Sequence, residues 1–236
     1  MRFTAVLLLI ACQPQADTGY LGEPLVSLQG HVVGTGDGSG LEAAMLWQRG
    51  PPPSTDDEEL ATRAPVQTGF PATFTVHLYQ PPPTAARRSL AAGEPMWARA
   101  VAAAVPAGIP ADYVGIAAAG AAASPGATAQ YGIDANHWIV YLDSDARAGS
   151  LTEWWLGAAL PAGFHLMDVA VVNPQCITAD QLAACEAGLA ARGVADNTTA
   201  QAFCSAPYRL SPADAGEQLV LQLGSTALGP PAGSCP

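Results

Sequence analysis

The chain of 236 residues has no lysine: all nine of its basic residues are arginine, against twenty aspartates and glutamates, for a formal net charge of −11. That balance repels phosphate backbones and anionic headgroups and argues against a nucleic-acid partner. Aromatic residues make up 7% of the chain. Half the residues count as hydrophobic, but 48 of them are alanine, which buries little apolar area. The core must therefore rest on a smaller set of Leu, Val, Ile and aromatic side chains. No segment reaches the roughly 20 consecutive apolar residues that a membrane-spanning helix needs. Cysteines in CxxC spacing are absent, and no histidine follows His165. A zinc site built on local spacing is thereby disfavoured, and neither a metal nor another cofactor is expected.

The most apolar stretch, Phe3 to Ile10, follows Arg2 and ends at Ala11 and Cys12. A charged start, a short apolar run and small residues after it have the form of a secretory signal. Leu9-Ile10-Ala11-Cys12 resembles the lipobox of bacterial lipoproteins. That resemblance implies cleavage before Cys12 and lipidation of its thiol. Residues 1–11 are then the signal peptide and 12–23 the anchor and its polar tether. Two or three acyl chains hold a protein to a bilayer far more firmly than one. Gln13, in place of the Asp that tends to retain enteric lipoproteins at the inner membrane, favours the outer membrane. The expected location is the cell envelope, with the membrane as a partner through the lipid.

Four further cysteines, Cys176, Cys185, Cys204 and Cys235, crowd the last quarter. In an exported protein they read as two disulfides, for which three pairings exist. The favoured pairing is Cys185–Cys204 with Cys176–Cys235. Thr178 and Gln181 have capping-box spacing, and Leu182, Cys185 and Leu189 share one helical face. Gly193 stands where that helix would stop, and Asn197 where a second, ending near Cys204, would start.

Elsewhere the pattern is that of strands. Apolar and polar residues alternate over 26–32 and 70–79, and Leu219, Leu221 and Leu223 line one face of 217–224. Further strands are expected over 41–48, 111–118, 136–143 and 164–172, separated by Pro- and Gly-rich turns. The alanine-rich segment 97–105 fits either a strand or a helix. These features predict a mainly β chain, an immunoglobulin-like or transthyretin-like sandwich over 24–175. Residues 176–236 add a small disulfide-bonded helical insert and the final strand.

No pattern of residues specifies catalysis, and no catalytic residue is assigned. Gly34–Gly40 lacks the strand-then-helix setting of a dinucleotide loop and reads as a hairpin loop. Asp143, Asp145, Gly149 and Glu153 resemble part of a calcium loop, but Arg147 and Ala148 break the pattern. His31 and His77 fall on the polar faces of their strands, and no two histidines sit at local ligand spacing. Asp56–Glu59 reads as a solvated acidic loop. Trp154 and Trp155, near Trp138 and Tyr141, are the strongest ligand-binding candidates. On a strand they would point to opposite faces, one into the core and one to the rim. The expectation is thus an envelope lipoprotein with a non-catalytic binding or structural role. A carbohydrate-binding module or secreted hydrolase using the Trp154/Trp155 region is the second reading.

Overall fold

The computed structural model describes residues 21–34, 38–48, 57–69, 71–108, 131–171, 176–194, 197–205 and 208–224. Its strands are β1 (Val26–Val33), β2 (Leu41–Gln48), β3 (Asp57–Pro65), β4 (Ala72–Leu78), β5 (Trp97–Pro106), β6 (Gly132–Ile133), β7 (His137–Leu142), β8 (Gly163–Val171), β9 (Tyr208–Pro212) and β10 (Leu219–Leu223). The helices are α1 (Leu151–Leu156), α2 (Ala179–Ala191) and α3 (Asn197–Cys204). The chain is mainly β, as its alternation predicts. The strand expected over 111–118 lies outside the described residues, as do Cys12 and Cys235.

All ten strands join one sheet, along the path β4-β1-β10-β6-β5-β7-β8-β9, with β2 on the other edge of β5 and β3 beyond β2. Every described pairing is antiparallel except β1 with β10, the first and last strands. Among the described residues no ladder joins β3 to β4. There the hydrogen bond from the Gln67 amide to the Thr73 carbonyl (2.9 Å) brings the two ends of the curl together.

Strand β5 decides the architecture. Its residues are buried on both faces, and period-two geometry sorts them into two cores. Ala98, Ala100, Ala102 and Ala104 face a first core with Leu28, Val32, Met45, Trp47, Phe74, Val76, Leu78, Leu219 and Leu221. Trp97, Val101, Ala103 and Val105 face a second core with Leu46, Ile133, Trp138, Val140, Leu142, Trp155 and Met167. A strand covered on both sides shows no polar alternation, which explains why 97–105 was ambiguous in the sequence. Strand β2 divides in the same way, with Met45 and Trp47 in the first core and Ala44 and Leu46 in the second.

The acidic run corrects its expected loop: Asp57, Glu58 and Glu59 lie in β3, paired with Gln48, Trp47 and Leu46. Backbone pairing tolerates charged residues on an outer strand, where they also discourage further pairing.

The helical insert forms as its spacing predicts. The Thr178 side chain accepts from the Gln181 amide (3.2 Å), Gln181 returns the bond to the Thr178 amide (2.9 Å), and Gly193 takes φ +96° past the end of α2. Cys185 and Cys204 are joined, with Cα atoms 5.9 Å apart. Leu189, Val194, Ala200 and Cys204 make a third, smaller core with Leu151 of α1. Cys176 is also disulfide-bonded, and its expected partner Cys235 lies outside the described residues.

Gly30 of β1 is closely enclosed by Phe74 and Leu219 of the first core. A Cβ there would run into the Phe74 ring and the Leu219 carbonyl oxygen, and into Leu219 Cβ at 2.9 Å. Gly30→Ala is therefore expected to lower unfolding stability by about 1–3 kcal/mol through overpacking, read as a lower urea midpoint with the sheet retained.

Candidate functional site

The sheet interrupts itself between β6 and β7, and Asp134 fills the gap. Its carboxylate is fully buried. One oxygen accepts the amides of Asn136 (2.9 Å) and His137 (3.0 Å), closing a local Asx turn. The other accepts the Val220 amide of β10 (2.8 Å) and meets His137 Nδ1 at 2.9 Å. Four donors around one buried carboxylate compensate its desolvation.

His137 opens β7 and is 4% exposed. With Nδ1 held by Asp134, its Nε2 turns to two acids brought from far along the chain. Asp168 of β8 is its direct cross-strand neighbour, and its Oδ1 lies 3.5 Å from Nε2. Glu217, in the turn before β10, places Oε1 3.1 Å from Nε2. That turn is fastened by the Asp214 amide, which donates to the other Glu217 oxygen (3.2 Å). The side chains of Asp168 and Glu217 are 45% and 37% exposed, so the cluster opens to solvent.

Burial by itself would lower the His137 pKa. The hydrogen bond and charge of Asp134, then those of Glu217, outweigh it and raise the value to about 9. Asp168 is raised by burial and by the charge of Glu217, against the pull of His137. Glu217 is lowered by its hydrogen bond from His137. Asp134, His137 and the two acids thus form one cluster that runs from a buried to an exposed carboxylate. Among the described residues, Nε2 meets carboxylates and neither a hydroxyl nor a thiol, so the nucleophile of a Ser-His-Asp arrangement does not stand beside it.

Trp154 and Trp155 lie on helix α1 rather than on a strand. Ser150 caps that helix by accepting from the Glu153 amide (3.0 Å), and Gly157 ends it at φ 72°. The Glu153 carboxylate accepts the Gly149 amide (3.0 Å). The sequence carried this signal in Ser150-x-x-Glu153, a helix-start spacing. The division between core and rim holds on the helix too. Trp155 packs on Trp97 with ring centroids 4.2 Å apart. Trp154 is 41% exposed, stacked on Phe203 and beneath Arg192.

The acids of the calcium-like segment hold loops together. Asp143 accepts the Met96 amide (2.9 Å) and Asp145 the Ala162 amide (2.9 Å). Among the described residues, the titratable group that converges at ligand distance is His137, Asp168 and Glu217. Sequence spacing missed it because its members are 31 and 49 residues apart; the local part of the signal was Asp134-x-x-His137. His77 bonds Ser27 and His165 the Pro161 carbonyl, each apart from this cluster.

No protein-family model matches the chain, and neither does any curated protein or solved structure.

The raised His137 pKa has a definite sign for stability. An imidazole whose folded value exceeds its ordinary 6.5 stabilises the fold fully below about pH 6.5, and this contribution is lost as pH rises through about 9. Urea midpoints are expected to fall between pH 6.5 and 9.5 in the native chain. His137→Gln should be less stable at pH 6.5 and should flatten that decline; parallel declines in the two proteins would place its source elsewhere.

Proposed function

We propose that this chain is a membrane-anchored lipoprotein of the cell envelope, with a non-catalytic binding or structural role. The observation that carries the reading is the Cys185–Cys204 disulfide. Stable disulfides belong to oxidising compartments outside the cytoplasm, and a chain with the 9–12 motif is delivered there. Cys12 is the lipidated residue in this proposal, residues 1–11 are removed, and the membrane is reached through the lipid, with the outer membrane favoured. A net charge of −11 supports the assignment of membrane affinity to acyl chains rather than to the protein surface. The carboxylate neighbours of His137 favour binding or structure over nucleophilic hydrolysis.

The finer fold reading, an immunoglobulin-like or transthyretin-like sandwich, belongs to the same proposal. It is supported by the first core, where residues of β1, β4 and β10 face those of β2 and β5.

Cys12→Ala tests the anchor. The variant is expected to leave the membrane fraction and to lose both processing and acylation, seen by fractionation and mass spectrometry, while retaining its disulfides. A variant that stays membrane-bound and processed refutes the reading.

Trp154 favours carbohydrate binding as a second reading. It lies on α1, whose cap Ser150 lines a cavity of about 530 Å³ together with Glu94, Ser144, Asp145 and Arg147. A polar cavity with an exposed aromatic residue one helical turn beyond its Ser150 wall suits a sugar. Addition of N-acetylglucosamine oligomers should then shift the tryptophan fluorescence, and Trp154→Ala should abolish the shift while the chain stays folded by circular dichroism. An unchanged spectrum in the native chain removes this reading.

A further inference from the structure

We propose that His137, Asp168 and Glu217 form a binding site for a divalent transition-metal cation of the Zn²⁺ class. The site is independent of lipid anchoring, and the proposal goes beyond the envelope function.

The three donors are distributed as ligands must be. Nε2 of His137 lies 3.1 Å from a Glu217 oxygen and 3.5 Å from an Asp168 oxygen, and the three ligand atoms fall within 4.8 Å of one another. Metal bonds of about 2.0–2.2 Å to nitrogen and oxygen place neighbouring ligand atoms roughly 3.0–3.5 Å apart. A cation at the centre therefore asks for small side-chain adjustments and no movement of the strands.

The second, separate observation is how the imidazole is held. His137 is buried, and its Nδ1 is bound by the fully buried Asp134, whose remaining capacity is taken by three backbone amides. A metal-ligating histidine characteristically gives its other ring nitrogen to a carboxylate, which fixes the ring and leaves the free nitrogen aimed at the ion. Asp134 holds Nε2 in that direction, toward the solvent-facing acids. An imidazole with two carboxylates suits Zn²⁺ and its neighbours over Ca²⁺ or Mg²⁺, which prefer oxygen ligands throughout. Two negative charges on Asp168 and Glu217 balance the dication. Three protein ligands leave a coordination position for water or an incoming group, and the exposure of both acids gives the ion a path in.

The chemistry of the site also fixes the conditions for its test. Coordination needs the neutral imidazole, so uptake, read at pH 8, is expected to displace a proton into the buffer. The full chain with its disulfides intact is titrated with Zn²⁺ by calorimetry, and with Co²⁺ by visible absorption. One saturable equivalent of Zn²⁺ is expected, with a rise in melting temperature and with Ca²⁺ binding more weakly. The double variant Asp168→Asn with Glu217→Gln changes two exposed side chains and should fold normally. It should bind Zn²⁺ at least tenfold more weakly and lose the Co²⁺ band. The proposal is overturned if the native chain takes up no saturable equivalent or prefers Ca²⁺. It is equally overturned if the folded double variant binds Zn²⁺ within threefold of the native chain.

Discussion

Strand β5 has no free side. One edge pairs with β2, the other is shared by β6 and β7, and both faces are buried. A strand so enclosed must satisfy every backbone group within the sheet and present small side chains wherever two layers approach it. The alanines at 98, 100, 102 and 104 meet this need on the first core, where Trp47, Met45 and Phe74 supply the bulk. On the opposite face, Trp97 and its neighbours build the second core against Trp138 and Trp155. Arg99 belongs to the same face, with its guanidinium 4.3 Å over the Trp138 ring.

Sharing one edge of β5 between two strands creates the break at Asp134. Strand β6 must leave room for β10 while β7 carries the sheet on toward β8 and β9. The Asp134 amide still donates to Ala102 of β5 (2.9 Å), so the backbone stays in the ladder while the side chain serves the groups that the break exposes. Its carboxylate replaces missing ladder acceptors for Asn136, His137 and Val220. The same carboxylate sets the imidazole of His137. A structural repair in the sheet and an oriented histidine thus come from one buried charge, and removing it would disturb both.

The C-terminal insert solves a different problem. Helices α2 and α3 are short, and most residues of α2 face solvent. Isolated helices of this length are marginal in water. Their disulfide limits the freedom of the unfolded chain, and a small apolar cluster ties them to α1. Arg192 adds a bond to the Ser150 carbonyl (3.3 Å), linking the end of α2 to the start of α1. This fastening also sets Phe203 and Arg192 against the Trp154 ring and leaves that side chain part-exposed.

By itself the sequence determined those features whose signal lies in neighbouring residues and in one-sided burial. Alternation located β1, β4 and β10, because each buries one face and wets the other. Capping residues located α2, and the helical phase of Cys185 with the end of α3 at Cys204 gave their pairing. It missed the strand character of the acidic β3 and left β5 ambiguous, because outer-edge pairing and two-sided burial both erase the alternating signal. It also left Ser150-x-x-Glu153 unread as the start of α1, although the spacing was there. The gathering of His137, Asp168 and Glu217 was decided by tertiary structure alone. Their meeting depends on the register of β7 against β8 and on the return of the chain into β10, and register is set by the packing of whole strands rather than by residues at local spacing.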